Sequence, residues 1–399
     1  MMKRTRQRIL PDAVWSRALA LDPSAQLAEA QRRTKLEDFD EDAVFLEALQ
    51  RLVRSCESEA RLSSIGRIDV RHTLVRLLTN RLRLVHERAR HVDVSGEQIR
   101  APVFLTGLAA SGLTFLHRLL AQGLGFRVPL QWEAMLPAPL CQRSYATDPR
   151  IGIVQRHLCW IRRLQPQLRV IEPLDVRAPA DCTLLASSSL MSFEFQARYH
   201  VPAYESWLEA QDLMPSYDWH RRVLQELQSG GAGERWALGS PAHLFGLPAL
   251  FSTYPDAQVI FLHRDPVEAL ASSVGLTVAL REAFSDDVDP VAVAREATER
   301  WATALERAFA YRDSGASPSD RFTDVYYGEL LRDPFATVRT VAAGWDLPFT
   351  SDAEERLQEF LAANRDQRTR PDAPAVVSAA LDPDFVRERF RWYRNRVGV

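Results

Sequence analysis

Apolar residues along this chain follow two rhythms. Four short runs, residues 103–106, 236–238, 259–263 and 321–326, end at turn residues, and each leads into a stretch whose apolar positions recur three and four residues apart. The short runs suit strands buried in a sheet, and the longer period suits amphipathic helices. Strand followed by helix, repeated, predicts a parallel sheet covered on both faces. The expected fold class is therefore α/β.

Ahead of the first strand the pattern is helical up to about residue 97. Segments 45–56 and 74–85 carry Leu, Val and Phe at helical spacing with Arg between them. We expect residues 1–97 to form a helical region packed on a core α/β domain of residues 98–399, with 92–100 as the connector. A largely helical insertion, 150–228, separates the first two strands. It is rich in aromatics: Trp160, Phe193, Phe195, Tyr199, Tyr204, Trp207, Tyr217 and Trp219. These rings read either as core or as the lining of an apolar pocket. Residues 385–396 read as one helix carrying both charge signs.

The segment 102–119 stands out chemically. It predicts a buried strand, a turn of small residues and an amphipathic helix beginning near Gly112. Ser111, Gly112, Leu113 and Thr114 would then turn backbone N–H groups and the positive end of a helix dipole toward an anion. Residues 107–114 read G-x-x-x-x-G-Leu-Thr, one residue from a nucleoside-triphosphatase loop, but the lysine of such a loop is Leu113 here. No acidic strand for magnesium is evident, which argues against that class. Ala109, Ala110 and Leu113 leave the turn without a cation of its own. The bland alternative is a tight strand-to-helix turn that eases packing.

A second anchor lies at 259–273. A hydrophobic strand delivers Arg264 at its carboxyl end, Pro266 opens a helix, and Ser272 lies two turns along it. Arginine can grip a phosphate in a bidentate fork, and a serine hydroxyl adds a donor. The alternative is local pairing of Arg264 with Asp265 or Glu268. Beyond the second strand, His243 falls where ligands collect in open α/β sheets, as a candidate base for an acceptor hydroxyl or as a helix-start residue bonded to backbone.

Taken together, residues 102–120, 235–247, 259–273, 325–334 and 386–399 resemble bacterial sulfotransferases that use 3′-phosphoadenosine 5′-phosphosulfate (PAPS). The resemblance implies a P-loop-like three-layer sandwich on a central parallel sheet. It implies that the first loop binds the 5′-phosphosulfate, that Arg264 and Ser272 bind the 3′-phosphate, and that Tyr327 lies near the adenosine. Glu172 matches a position where related sequences often show histidine, and Asp181 starts a helix that lies over the site in that family; both join His243 as acid–base candidates. His117 and Arg118 read as helix-surface or packing residues. Three departures are visible: the basic residue of the loop is Ala109 or Ala110, the lysine after the second strand is Gly239, and the first threonine of a Thr-Thr pair is Leu113. Arg118, Arg177, Arg368 or Arg370 are candidate replacement cations.

Bulk properties narrow the partners. The 399 residues carry a formal charge of −2, which argues against a general nucleic-acid binder. Cys56, Cys141, Cys159 and Cys182 are scattered, as reduced thiols are, and no metal site is expected. The basic start lacks an apolar h-region, and no stretch has transmembrane length, so the expected location is cytoplasmic without stable membrane insertion. A homo-oligomer is compatible with the sequence. The expected activity is sulfuryl transfer from PAPS to a hydroxyl of a hydrophobic, secondary-metabolite-like molecule. The alternatives are a PAPS-independent cyclase, lyase or isomerase on the same scaffold, or a non-catalytic binding protein.

Overall fold

The structure is a computed structural model, which describes residues 20–40, 43–138, 147–166, 175–229, 235–364 and 380–399. Its centre is a four-stranded, all-parallel sheet: β1 (Val103–Gly107), β2 (Ala237–Gly239), β3 (Gln258–His263) and β4 (Phe322–Tyr326), in the order β2-β1-β3-β4. The longer helices are α1 (Pro23–Thr34), α2 (Ala43–Ser58), α3 (Ser64–Arg90), α4 (Leu113–Leu124), α5 (Pro149–Leu164), α6 (Pro202–Glu209), α7 (Met214–Ser229), α8 (Pro266–Phe284), α9 (Pro290–Asp313), α10 (Pro334–Gly344), α11 (Ser351–Ala363), α12 (Pro383–Arg389) and α13 (Arg391–Val397).

Side chains alternate across a strand, so each buried strand feeds two cores. Val103, Leu105, Ile260, Leu262 and Val325 face one side, where Leu116, Leu119 and Leu120 of α4 and the apolar stripes of α10 and α11 cover them. Phe104, Leu238, Val259 and Phe261 face the other, in a larger core shared with α7, α8 and α9. The result is the three-layer P-loop-like sandwich. Segment 21–84 contributes Phe45, Leu49, Leu74, Leu78 and Leu82 to that larger core. Contact is close: the Ser63 hydroxyl donates to the Phe284 carbonyl at 3.1 Å.

Three local expectations need correction. Trp236 lies just outside β2, where its carbonyl accepts from the Val103 N–H at 2.8 Å and an isolated bridge joins it to Arg127, while Arg321 belongs to a short 3-10 turn before β4. The C-terminal helix is two helices broken at Phe390, whose buried ring anchors the chain as its backbone leaves helical geometry (φ −103°, ψ 11°). Within the insertion, the stretch between Cys182–Ala186 and α6 is made of short 3-10 turns. Seven of its eight aromatics are buried in the larger core, and Trp160 packs half-buried against it. Folding takes up these rings. Among the described residues no helix is long and apolar enough to cross a membrane.

Candidate active site

All four strands point their carboxyl ends the same way, so the segments that follow them gather at one edge of the sheet. Ligands bind at such edges because strand ends and helix starts leave backbone groups unpaired there. After β1 the chain turns through residues 108–112 and enters α4. Gly112 caps that helix in the left-handed region (φ 97°). A Cβ on it would stand 2.8 Å from Cδ2 of Tyr327, so the loop presses against the tyrosine ring. Ala110 is also left-handed, at φ 63°. The first N–H groups of α4 have no acceptor within their own helix.

Side chains of the loop divide by role. Ser111 is buried and its hydroxyl has no partner among the described residues. Leu113 points into the core between sheet and helices and leaves only its backbone to the loop. Thr114 is exposed, with its hydroxyl on the first turn of α4.

Arg264 follows β3, and Asp265 caps α8 by accepting from the N–H groups of Val267 and Glu268. The Arg264 guanidinium donates through Nη1 to the Ala110 carbonyl at 2.6 Å and lies 4.1 Å from the centroid of the Tyr327 ring. The local pairing with Glu268 is present too, from Nε at 3.3 Å. Ser272 is half-buried two turns along α8, on the same helix line as Glu268. The strand end is braced from behind by α13. There the Tyr393 hydroxyl meets His263 Nδ1 at 3.0 Å and the Arg264 backbone N–H, and Arg394 pairs with Asp265 at 3.4 Å.

The end of β2 is crowded differently. Gly239 neighbours Leu105 in β1 and also pairs with Asp181 through an isolated bridge. A Cβ on Gly239 would come within 3.1 Å of His117 Nδ1, so the imidazole takes the space into which a side chain at 239 would grow. His117 itself is buried and its Nε2–H donates to the Ala237 carbonyl at 2.7 Å. Burial pushes its pKa down to about 4. The ring is therefore neutral at pH 7 and brings no charge.

Asp181 caps the helix Cys182–Ala186, accepting from the Thr183 N–H and hydroxyl, both at 2.8 Å, and from Ser240. Protein packed around it raises its carboxyl above the usual aspartate range. His243 is buried in the short helix Pro241–Phe245, shares a 2.8 Å hydrogen bond with the Tyr217 hydroxyl through Nδ1, and has no partner for Nε2 among the described residues. Its burial drives its pKa well below the ordinary histidine value.

The structure thus brings Ser111, Gly112, Arg264 and Tyr327 into one contiguous group, with Thr114 on the adjoining turn. It sets Asp181 and His243 beside the neighbouring strand end. Glu172, Arg368 and Arg370 lie outside the described residues. His117, Tyr217, Glu268 and Tyr393 shape the site without having been singled out for it. Glu268 was legible four residues after Arg264 and Tyr217 as one ring of the aromatic insertion, His117 reads as a packing residue, and Tyr393 left no signal.

Comparison with known proteins identifies the family. The profile of the sulfotransferase family matches residues 102–351, more than half of the chain. An omega-hydroxy-beta-dihydromenaquinone-9 sulfotransferase, Stf3, from Mycobacterium bovis is 23% identical over 299 residues, 70% of this chain and 71% of its own length. The same enzyme from Mycobacterium tuberculosis matches equally. Among solved structures, sulfotransferase STF1 from Mycobacterium tuberculosis H37Rv superposes with a TM-score of 0.80 at 29% identity, over 93% of this chain and 98% of that one. Sulfotransferase STF9 from Mycobacterium avium superposes at 0.83 and 24% identity, over 94% and 96%, and shares the fold. The chain belongs to the sulfotransferase family.

Proposed function

We propose that this member of the sulfotransferase family moves a sulfuryl group from PAPS to the hydroxyl of a hydrophobic small molecule. One observation carries the reading: the ends of β1 and β3 join an anion-receiving turn to a guanidinium, with Arg264 Nη1 2.6 Å from the loop carbonyl of Ala110. The residues present suit a phosphosulfate. The buried Ser111 hydroxyl lacks a partner among the described residues, the first N–H groups of α4 have no acceptor within their own helix, and Arg264 keeps donors for an anion. Tyr327, held against both Gly112 and Arg264, offers a ring face for a nucleobase.

When bound, PAPS supplies the sulfuryl group: the acceptor oxygen bonds to sulfur as the sulfur–oxygen bond to the 5′-phosphate breaks, and that phosphate keeps the electron pair. Asp181 receives the acceptor's proton. Its position at the end of β2 and its raised carboxyl suit a base more than His243 does, because a deeply buried imidazole resists protonation. His243 acts as a neutral partner that fixes Tyr217. The hydrophobic acceptor is inferred from the mycobacterial relatives, whose name specifies a hydroxylated menaquinone. The aromatics that would suit carbocation chemistry lie in the core, which favours sulfuryl transfer over a cyclase, lyase or isomerase.

The test combines calorimetry with turnover. Adenosine 3′,5′-bisphosphate should bind at micromolar concentration, and labelled PAPS should yield sulfate esters with long-chain or prenyl alcohols. Asp181→Asn should slow transfer about 10²- to 10⁴-fold, the usual contribution of a positioned base, while nucleotide affinity stays put. No nucleotide binding at millimolar concentration would refute the reading.

A further inference from the structure

We propose that the outer face of α5, with the adjoining turn of α3, docks on an anionic lipid surface from which the acceptor is drawn. The inference rests on the reading of the acceptor as a hydrophobic molecule, and it assigns where that molecule is met. α5 carries Arg150, Arg156, Arg162, Arg163 and His157, and no Asp or Glu. Arg150 turns inward and pairs with Asp148 at 2.9 Å. Arg156, Arg162 and Arg163 meet no carboxylate among the described residues. The arginines of α12 and α13 behave differently: Arg389, Arg391 and Arg396 pair with Glu299, Glu388 and Asp313. That face is neutralised within the protein, and the face of α5 is not.

Helical spacing sorts the residues of α5. Val154, Leu158 and Ile161 face the larger core, while Arg156 and Arg163 are exposed on the outer side with Ile153, which is 39% exposed. A Cβ on Gly152 would stand 3.6 Å from Arg156 Nη1, so that guanidinium lies back along the helix near Ile153. α3 extends the pattern. His72 stacks on His157 with ring centroids 5.9 Å apart; beside it Arg71 is exposed, and Ile68, one turn earlier, is 48% exposed. Lone exposed isoleucines are ordinary. Here each stands three residues before an arginine with no acidic partner, the spacing of neighbours on one helix face. The imidazoles bring no charge at pH 7, because burial pulls His157 down to about 3 and lowers His72 as well. The charge of the face therefore belongs to arginines and is permanent. Acidic neighbours stand at its end or beneath it: Gln165 donates to Glu282 at 3.4 Å, and Asp69 is fully buried.

The face adjoins the acceptor side of the site. Asp69 of α3 pairs with Arg198 at 3.7 Å, Arg198 pairs with Glu194 at 3.4 Å, and the charge of Asp181 is close enough to act on Glu194. A buried ionic chain thus runs from α3 to the end of β2. Long apolar alcohols leave water for lipid. An enzyme held at the bilayer surface meets such an acceptor where it is concentrated. Each arginine near anionic head groups strengthens attachment about fivefold, and the isoleucines enter the head-group layer.

Sedimentation of the full chain with vesicles tests the proposal. The protein should pellet with vesicles of phosphatidylcholine and phosphatidylglycerol in equal parts, stay in solution with phosphatidylcholine alone, and be released by high salt. Arg156→Gln combined with Arg163→Gln should weaken partitioning about 25-fold. Arg339→Gln, an exposed position on α10 across the sheet, should leave it unchanged. In turnover, the double variant should lose transfer to a prenyl alcohol carried in the anionic vesicles and keep transfer to a short alcohol in solution. Equal pelleting with both kinds of vesicle, pelleting with neither, or a double variant that partitions like wild type would overturn the proposal. Binding to duplex DNA or to an acidic protein while vesicles are ignored would overturn it as well. Absence of transfer to either alcohol, with vesicle binding intact and dependent on Arg156 and Arg163, would sink the sulfuryl-transfer reading and leave the docking face standing.

Discussion

Gly112→Ala tests how tightly the loop is wedged against Tyr327, and its cost can be worked from the coordinates. Two penalties add. Gly112 has φ 97°, where an L-residue's Cβ meets the neighbouring carbonyl; this costs about 1–2 kcal/mol. The new Cβ would also lie 2.8 Å and 3.0 Å from two Tyr327 ring atoms, well inside the ~3.5–4.0 Å optimum for carbon. Overpacking of that kind costs about 1–3 kcal/mol more. The matched control sits at the other end of the same helix. Gly125 is left-handed at φ 67°, but nothing stands within 4 Å of its Cβ position. Gly125→Ala should therefore show the backbone penalty alone. Urea unfolding of both variants isolates the ring contact as their difference, and Gly112→Ala/Tyr327→Ala should lose that difference. Displacing the ring also disturbs the Arg264 guanidinium stacked on it, so Gly112→Ala, and not Gly125→Ala, should weaken adenosine 3′,5′-bisphosphate in calorimetry. If the two alanine variants are equally destabilised and bind equally, the wedge does not exist.

Two further predictions concern His117. Its folded pKa of about 4 lies below the ordinary 6.5, so above pH 6.5 the ring is neutral in both states. As pH falls through 6.5 the unfolded chain takes a proton that the folded chain refuses until about pH 4, and stability drops by about 3 kcal/mol across that window. His117→Gln should flatten the fall of urea stability between pH 7 and pH 4 by about one proton; an unchanged slope means that the ring titrates normally. Separately, Gly239→Lys, the apparent restoration of a family cation, should lower the melting temperature because its stem meets His117, and adding His117→Ala should recover most of the loss. A stable single variant would show that the imidazole does not fill that space.

Much of the fold was readable because buried parallel strands leave uninterrupted apolar runs. All four strands lie within a residue or two of the segments read from sequence, and the helix after Gly112 begins at Leu113. Helix ends were harder. The break at Phe390 leaves no proline or glycine, because it is imposed by the ring's place in the core. The aromatic insertion had two readings, and periodicity alone cannot separate a core ring from a pocket ring. Within the site, the turn and Arg264 were legible as parts. Their contact was not, since it spans 154 residues and depends on β1 and β3 being adjacent. His117 left no signal as a partner of Gly239, because that approach follows from α4 packing on β2.

The two small residues at 110 and 239 look alike in sequence, yet the protein around them is arranged differently. Beside Ala110 the neighbouring strand brings up the Arg264 guanidinium, which donates to the loop carbonyl. Beside Gly239 helix α4 supplies a neutral imidazole, so the space is filled and the charge is not replaced from there. If a single misplaced cation costs about 10²–10³ in rate, the losses should be unequal. Ala110→Arg in otherwise wild-type protein should gain little, because Arg264 already lies against that carbonyl and the two guanidinium groups would repel. A larger gain is then expected at the end of β2, where Gly239→Lys combined with His117→Ala should form sulfate ester faster than either single variant, and no gain from the pair would refute the reasoning.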